Sequence, residues 1–407
     1  MTTPLIPVEA ALQQLLASAE PIAHTERVPL NAALGRVLAE DIDAAVDVPP
    51  ADNSAMDGYA IRYDDIANGL NEFAIGQRIA AGQVGMPLAS GEAARIFTGA
   101  VMPSGADTVV MQEDCTLLSQ TRVRVDSAPD AGDSVRKQGQ DIQAGTTLLH
   151  CGDRLGAARV ALLGSVGVAE ISVYRRLRVV VLQTGDEIVD PGLPLQPGQI
   201  YNSNRYLVSG LLTDFGVECI DGGIVPDRPD ATRTALAAAA ATADVVITTG
   251  GVSVGDEDHV KAAVESLGEL RLWRVAIKPG KPLAFGRIGQ AAFFGLPGNP
   301  SSVYVTLMIL ARPWLLRRQG LTGELSLPSL HVKATFDWPH AGSRQEYVRA
   351  RLQDTPDGAA VTRFQNQSSG VLSSVAWSDC LVVVPPGCTF SKGERVKVLL
   401  TPNGRDG

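Results

Sequence analysis

The sequence of 407 residues lacks the patterns that mark several classes of protein. It has no run of about 18 apolar residues, which a membrane-spanning helix needs, and no basic segment followed by an apolar stretch near residue 1. Its 35 Lys and Arg residues are outnumbered by 44 Asp and Glu residues, and no Lys/Arg-rich run occurs. We therefore expect a cytoplasmic protein that binds neither membranes nor nucleic acids.

Cysteine and histidine are scarce, with five residues of each. The cysteines are odd in number and widely spaced, so they match neither a disulfide framework nor a CxxC metal site. The histidines are equally scattered, and the sequence therefore does not support zinc chemistry. We interpret the cysteines as free thiols in a reducing compartment.

The first half of the chain changes character near residue 46. From Pro7 to about Ala44, the apolar spacing in VEAALQQLLASA and LNAALGRVLAEDI follows a helical period, which predicts a helical opening. Short apolar or alternating runs broken by many glycines then continue to Gly145, including 77–79 and 94–97. This second segment is predicted to be β-rich and inserted.

The second half contains two further patterns. Between 174 and 316, apolar strands alternate with helical stretches, which predicts βαβ units and a doubly wound α/β domain with a parallel sheet covered on both faces. The Ala-rich run 235–243 is predicted to be helical, and Pro300 is expected near the first turn of a helix that reaches Leu316. From Leu327 onward, short strands separated by Pro/Gly turns predict a small all-β domain.

The strongest chemical signal is TTGGVSVGDED at 248–258, directly after a predicted buried strand. Glycines at the carboxyl end of a strand let the backbone turn tightly and point N–H groups at a phosphate or another oxyanion. The neighbouring acids suggest a bridging Mg²⁺, because carboxylates beside phosphate usually share a metal ion. Turn glycines without a ligand are the alternative interpretation of this segment.

Other polar residues are expected at the same edge of the sheet. The carboxylates of TGDE at 184–187 follow one strand and Asp227 follows another, although Asp186 is also suited to capping a turn. The loops KPGKP at 278–282 and GLPGNPSS at 295–302 hold Lys278 and Lys281 between prolines. Such loops position cations at low entropic cost, although exposed lysines are often only solvated.

The β-rich segment contains DNSAMDGYA at 52–60, a polar string with two acids that fits no strand period. We interpret it as a ligand-facing loop, with an Asx turn as the alternative. FTGA at 97–100 and GQDI at 139–142 lie farther along the same segment, and neither is decisive alone.

Taken together, these motifs resemble the molybdopterin molybdenumtransferase family, to which the carboxyl-terminal domain of the scaffold protein gephyrin also belongs. DNSAMDGYA, FTGA followed by MP, GQDI, TGDE, TTGGVSVGDEDHV, KPGKP and GLPGNPSS occur in the family's order over nearly the whole chain. The resemblance implies four parts: an elongated N-terminal domain (1–45 and 146–173), an inserted β-rich domain (46–145), a molybdopterin-binding α/β domain (174–326) and a C-terminal β domain of barrel type (327–407). It also implies an extended homodimer, with the active site between the α/β domain of one subunit and the inserted domain of the other.

Carried onto matching positions, the family's functional residues fall into three groups. The resemblance implies catalytic roles for Asp57, Asp141, Glu187, Asp227 and Asp258, and Mg²⁺ binding by Asp227 and Asp258. It implies substrate contacts for Thr98, Gly250, Gly251, Ser253, Gly255, Lys278 and Lys281, with Pro297 and Pro300 shaping the loop. Ser369 and Gly370 are weaker candidates, and Arg274 stands where the family pattern leads us to expect Lys.

The implied activity is insertion of molybdenum from molybdate into adenylylated molybdopterin, with release of AMP. Asp57 and Glu187 are alternative general bases. A molybdopterin adenylyltransferase and molybdoenzyme acceptors are the expected partners. Two alternatives remain: the preceding adenylylation step, which the extra domains disfavour, and a non-catalytic pterin-binding scaffold, which the retained acids disfavour.

Overall fold

The computed structural model describes residues 5–251 and 259–402 of the chain. No helix in these two ranges is long and apolar enough to cross a membrane. The described residues form three six-stranded sheets, several two-stranded ladders, and helices that pack mainly on one of the sheets.

The central sheet has four parallel strands followed by two antiparallel ones. In spatial order its strands are Glu218–Val225, Arg178–Thr184, Val245–Thr249, Ala291–Leu296, Pro282–Ile288 and Gly268–Arg274. The helices of this domain are Ser203–Asp214, Pro229–Thr242, His259–Leu267 and the continuous run Pro300–Thr306, Leu307–Ala311 (a π-helical stretch) and Arg312–Arg318. The doubly wound α/β domain is confirmed, but the antiparallel hairpin at its edge was not predicted.

Both faces of this sheet are covered, as predicted. Val179 and Val181 face a large core that includes the helices Ser203–Asp214 and Pro300–Arg318, and Val180 and Leu182 face a smaller core under the helices Pro229–Thr242 and His259–Leu267. Alternate residues of the strand Arg178–Thr184 therefore lie in two different cores, which explains why residues 179–182 are all apolar.

The carboxyl-terminal sheet is a closed barrel of five strands. Its strands in order around the barrel are Gln345–Thr355, Gly358–Arg363, Ser329–Ala334, Arg395–Leu400 and Cys380–Val384, and the last pairs with the first. The short strand Ile277–Lys278 of the preceding domain adds in parallel to Gln345 and Glu346, and the helix Leu372–Trp377 lies beside it. The barrel and the α/β domain thus share backbone hydrogen bonds.

The β-rich prediction for the inserted segment is confirmed. Its sheet has the order Thr108–Met111, Gly58–Ile61, Glu92–Ile96, Glu72–Ile79, Arg122–Val125 and Cys115–Ser119. A helix at Tyr63–Ala67, a 3₁₀ turn at Gln112–Asp114 and a ladder of Asn53–Ser54 with Val135–Arg136 complete it.

The prediction that the chain is helical from Pro7 to about Ala44 was wrong. Only Val8–Ala17 forms an α-helix; Thr25–Pro29 is a strand paired with Glu170–Tyr174, and Leu30–Ala32 is a single 3₁₀ turn. Gly35 adopts a φ of +77°, which ends any helix, and Leu38 exchanges backbone hydrogen bonds with residues 152 and 153. The apolar residues are spaced as in a helix, but they are apolar because Ala33 and Leu38 are buried in a local core together with Leu155 and Val173.

Two remaining elements of this N-terminal part are the ladder of Ile42–Asp43 with Thr147–Leu149 and the helix Ala157–Ser165. The first helix, in contrast, buries Val8, Ala11 and Leu15 in the core of the α/β domain. We therefore propose that the boundary of the N-terminal domain lies after this helix.

Candidate functional site

Two adjacent cavities open at the carboxyl ends of the parallel strands of the α/β domain. We call the first, of about 600 Å³, the cationic cavity, because Lys278, Lys281 and Arg344 line it. We call the second, of about 380 Å³, the acidic cavity, because Glu187 and Asp227 line it. Both cavities share a wall made of Gly250, Gly251, Gly298 and Asn299. Ligands in the two cavities would therefore be neighbours.

The shared wall requires glycine. Gly250 and Gly251 have φ values of +93° and +65°, which side-chain-bearing residues rarely adopt. A Cβ atom on Gly250 would lie 2.9 Å from Thr184 Oγ1, and one on Gly251 would lie 2.4 Å from Val260 Cγ2. The predicted tight turn after the strand Val245–Thr249 is therefore present. Gly250 N–H donates to Leu296 O at 3.0 Å, and a ligand can approach the backbone of Gly251 closely.

The cationic cavity depends on contacts between the α/β domain and the barrel. Arg344 donates through Nη1 to the carbonyl oxygens of Ile277 (3.0 Å) and Gly280 (2.8 Å), which clamps the loop that carries both lysines. Lys278 Nζ lies 2.9 Å from Glu346 Oε2. Three cationic groups and one buried carboxylate leave an excess of positive charge, which suits an oxyanion.

A barrel loop closes the other side of this cavity with Gln367, Ser368 and Ser369. Asn299 Nδ2 donates to Ser369 Oγ at 3.1 Å, and Ser301 N donates to Ser369 O at 3.0 Å. Beneath it, Arg349 is 1% exposed and donates to the carbonyl oxygen of Ser368. Burial lowers the pKa of Arg349 to about 10, so this side chain stays cationic at neutral pH.

The acidic cavity is built within the α/β domain. Glu187 follows the strand Arg178–Thr184, and Asp227 follows the strand Glu218–Val225, so the predicted meeting of these two acids at one edge is found. Asp186 accepts a hydrogen bond from Asp227 N (3.0 Å) and does not line the cavity. It links the two strand-end loops, in keeping with the turn-capping alternative.

Asp57 and Thr98 form one unit in the inserted domain. Asp57 Oδ1 accepts hydrogen bonds from Thr98 N and Thr98 Oγ1, both at 2.8 Å. The backbone bond is the larger cause, and together with the hydroxyl and the nearby Arg95 it lowers the pKa of Asp57. The carboxylate is therefore ionised at neutral pH.

Asp141 lies on the loop that returns from the inserted domain. Its backbone N donates to Val48 O at 2.9 Å, and its side chain is exposed. Asp52 holds the same loop by accepting from Lys137 Nζ and from Gln138 N. Within one chain, none of Asp57, Thr98 and Asp141 lines either cavity.

The remaining predicted residues divide by position. Pro297 lines the cationic cavity and Pro300 the acidic one, where Pro300 also begins a helix as expected. Ser253, Gly255 and Asp258 lie outside the described residues. Arg274 ends an antiparallel strand and lines neither cavity.

Arg344, Asn202 and Asn204 are among the cavity residues that were not predicted from the sequence. Arg344 comes from the barrel, and no local pattern connects it with the lysine loop. Asn202 caps the helix Ser203–Asp214 by accepting from Arg205 N, a role that Asn before an apolar helical run can indicate. That signal predicts a helix start but not a cavity.

Among the described residues, no group of three His, Cys, Asp or Glu side chains could enclose a metal ion. Mg²⁺ does not need such a group, because it is commonly held by one or two carboxylates together with substrate phosphates. Glu187 and Asp227 beside the glycine wall fit that donor set.

Three family models match the chain: the MoeA N-terminal region (domain I and II) at residues 6–167, the probable molybdopterin binding domain at 180–317, and the MoeA C-terminal region (domain IV) at 331–401. A molybdopterin molybdenumtransferase of Haemophilus influenzae is 40% identical over 89% of this chain and 90% of its own length. The chain belongs to the molybdopterin molybdenumtransferase family. It is thus a transferase of molybdenum cofactor biosynthesis.

Other members of this family agree in sequence and in fold. The molybdopterin molybdenumtransferase of a Nostoc species is 41% identical over 93% of this chain and 89% of its own length. A crystal structure of the molybdopterin biosynthesis MoeA protein from Pyrococcus horikoshii has a TM-score of 0.80 and 32% identity, and the match covers 98% of this chain and 99% of that one. The overall architecture is therefore that of the family.

Proposed function

We propose that this protein inserts molybdenum from molybdate into adenylylated molybdopterin, with release of AMP. The observation that carries the proposal is the pair of adjacent cavities that share a glycine wall but have opposite charge. Insertion requires an oxyanion and a pterin nucleotide to meet, and two neighbouring sites of different charge satisfy that requirement.

The cationic cavity supplies the molybdate site in this proposal. Lys278, Lys281 and Arg344 bind the oxygens of molybdate through charge-assisted hydrogen bonds. The backbone N–H of Gly251 donates to the phosphates of the nucleotide between the two cavities, and Gly250, whose own N–H donates to Leu296 O, leaves them room. Pro297 and Pro300 keep the facing loop rigid. Ser253 and Gly255 lie outside the described residues, and their contacts with the phosphates stay predictions.

Mg²⁺ is part of the proposal, with Asp227 as its ligand among the described residues and Asp258 as a predicted second ligand. When bound, it would neutralise phosphate charge and polarise the phosphoryl oxygens. The chain's own contribution is to hold Asp227 in the lining of the acidic cavity, next to the glycine wall.

We further propose that the protein acts as a homodimer, because Asp57, Thr98 and Asp141 line neither cavity within one chain. The inserted domain of a second copy would bring such residues to the site. Asp57 and Glu187 remain alternative general bases. The lowered pKa of Asp57 makes it a weak base, which favours Glu187.

The proposal also places the protein in the cytoplasm, between two enzymatic steps. A molybdopterin adenylyltransferase is the class of enzyme that makes the adenylylated substrate. Molybdoenzymes lacking the cofactor are the acceptors of the product.

The decisive experiment mixes purified protein with adenylylated molybdopterin, Mg²⁺ and molybdate, and measures AMP release together with activation of a cofactor-free molybdoenzyme. We expect molybdate-dependent AMP release that falls sharply in Asp57→Ala and in Asp227→Ala. Tight binding of the pterin nucleotide without AMP release would contradict the proposal and favour a scaffold.

Mixing the two variants tests the shared site. If each site combines the cavities of one copy with the inserted domain of the other, half of the dimers in a random mixture contain one intact site. Activity should then return to about a quarter of that of the wild-type protein. A mixture as inactive as its components would show that both acids act within one chain.

A further inference from the structure

The floor of the acidic cavity contains three buried polar side chains whose hydrogen-bonding capacity is incompletely used. Asn202 is 2% exposed, Asn204 is 9% exposed and Thr249 is 1% exposed, and all three line the cavity. Asn202 Nδ2, Asn204 Oδ1 and Thr249 Oγ1 have no hydrogen-bond partner within the described ranges 5–251 and 259–402. Buried polar atoms normally have partners, because leaving them unpaired is costly.

The chemical identity of each unpaired amide atom is determined by the bond that the other amide atom makes. Asn202 accepts from Arg205 N at 3.2 Å, which must use its oxygen and leaves Nδ2, a donor. Asn204 donates to Gly298 O at 2.7 Å, which must use its nitrogen and leaves Oδ1, an acceptor. The residues that line this cavity therefore carry one unpaired donor and one unpaired acceptor just beneath its surface, together with the Thr249 hydroxyl, which can donate or accept.

This combination does not suit an oxyanion. The oxygens of phosphate or molybdate accept hydrogen bonds, so they would satisfy Asn202 and face the oxygen of Asn204 without a bond. Glu187 and Asp227 in the same cavity add further acceptors and negative charge. An edge that offers both an acceptor and an N–H donor is complementary to this floor, and flat nitrogen heterocycles have such edges.

We propose that Asn202 and Asn204 are specificity-determining residues that recognise the hydrogen-bonding edge of a ring of the substrate. This inference rests on the proposed function and refines it: the ring lies in the acidic cavity, the phosphates lie on the glycine wall and the oxyanion lies in the cationic cavity. Adenylylated molybdopterin contains two rings with an acceptor beside an N–H donor, the pterin and the adenine. The experiment below separates them.

Asn202 offers a clean substitution. Asn202→Asp and Asn202→Ser both keep an oxygen that accepts from Arg205 N, so the helix remains capped, but both lack the amide NH₂. Binding is measured by calorimetry with two separate probes, 6-hydroxymethylpterin and AMP, and with molybdate as a third. Asn71→Asp, on an exposed loop of the inserted domain, controls for the added charge.

We expect both Asn202 variants to bind one of the two ring probes about 10-fold more weakly than the wild-type protein, because a buried donor contact is lost. Molybdate binding and Tm should be unchanged, and Asn71→Asp should bind all probes normally. The ring that loses affinity is the one that occupies the acidic cavity.

The inference is overturned if both variants bind both rings as tightly as the wild-type protein, or if the wild-type protein binds neither ring. Failure of the proposed function has a different signature, since it appears as absent AMP release by the unaltered protein. A protein that releases AMP but is insensitive to Asn202→Ser would retain the function and lose this inference.

Discussion

The cationic and acidic cavities share one wall but differ in origin and charge. The acidic cavity is built at the ends of neighbouring parallel strands of a single domain. The cationic cavity needs the barrel, which contributes Arg344 and the loop 367–369. The comparison shows how one sheet edge can hold two unlike ligands side by side: the fold supplies the first site, and contact with a second domain supplies the other.

The largest effect should come from Gly250→Ala, because this residue belongs to both cavities. At a φ of +93°, with a Cβ 2.9 Å from Thr184 Oγ1, alanine is strained and the wall must move. We expect the free energy of unfolding to fall by about 2 kcal/mol. AMP release should fall about 10²-fold or more, because reacting groups are misplaced.

Gly210→Ala is the matched control for this prediction. Gly210 lies within the helix Ser203–Asp214, and a Cβ there meets nothing within 4 Å. It should stabilise the protein by about 0.5–1 kcal/mol. Urea unfolding measures whether Gly250→Ala lowers and Gly210→Ala raises the free energy of unfolding. A fully active Gly250→Ala protein would show that the wall is not shared by two ligands.

Asp227→Asn should damage only the acidic cavity. Loss of the carboxylate at its rim is expected to lower AMP release about 10²-fold, the usual cost of removing a group that stabilises transition-state charge. Molybdate binding, measured by calorimetry, should be unchanged because Asp227 does not line the cationic cavity. Asp230→Asn, in the first turn of the following helix, is the control. Equal losses in both variants would point to a general effect of charge.

Lys281→Gln should damage only the cationic cavity. Removing one charge-assisted contact is expected to weaken molybdate binding about 10-fold, with little change in pterin binding. The remaining affinity should depend less on ionic strength. Lys392→Gln on the barrel surface removes the same charge away from the cavities. If Lys392→Gln weakened molybdate equally, the cavity would act only through net charge.

The smallest effect should come from Thr98→Val, which changes neither cavity within one chain. The hydroxyl bond is lost but the larger backbone contribution stays, so the pKa of Asp57 should rise and still lie below its ordinary value of 3.8. Because the folded pKa is lowered, the stability that Asp57 contributes is present above 3.8 and is lost as pH falls through the folded value. The free energy of unfolding should therefore not change between pH 5 and 8.

Carbon-13 NMR titration of the Asp57 carboxyl group measures this shift directly. Thr116→Val is the control, because the hydrogen bond from the Thr116 hydroxyl contributes most to the lowered pKa of Asp126 in the same domain. It should raise the pKa of Asp126 and leave Asp57 unaltered. A Thr98→Val protein whose activity profile moved near pH 6 would identify Asp57 as the titrating base.

The sequence by itself determined the elements whose evidence is local. Apolar runs predicted the inner parallel strands of the α/β domain, because these strands are buried on both faces. Position at strand ends also placed Glu187, Asp227 and the glycine turn at one edge, since parallel strands end on the same side of their sheet.

Tertiary structure alone decided what depends on distant partners. Residues 30–38 have helical spacing, but backbone bonds to residues 152–155 and 172–174 override it. Arg344 reaches the lysine loop only because the barrel strand Gln345–Thr355 pairs with Ile277 and Lys278. The unpaired atoms of Asn202 and Asn204 became apparent only when their other bonds were known. For residues 30–38, Arg344 and Asn204, a non-local hydrogen bond settles the outcome, and no local pattern encodes it.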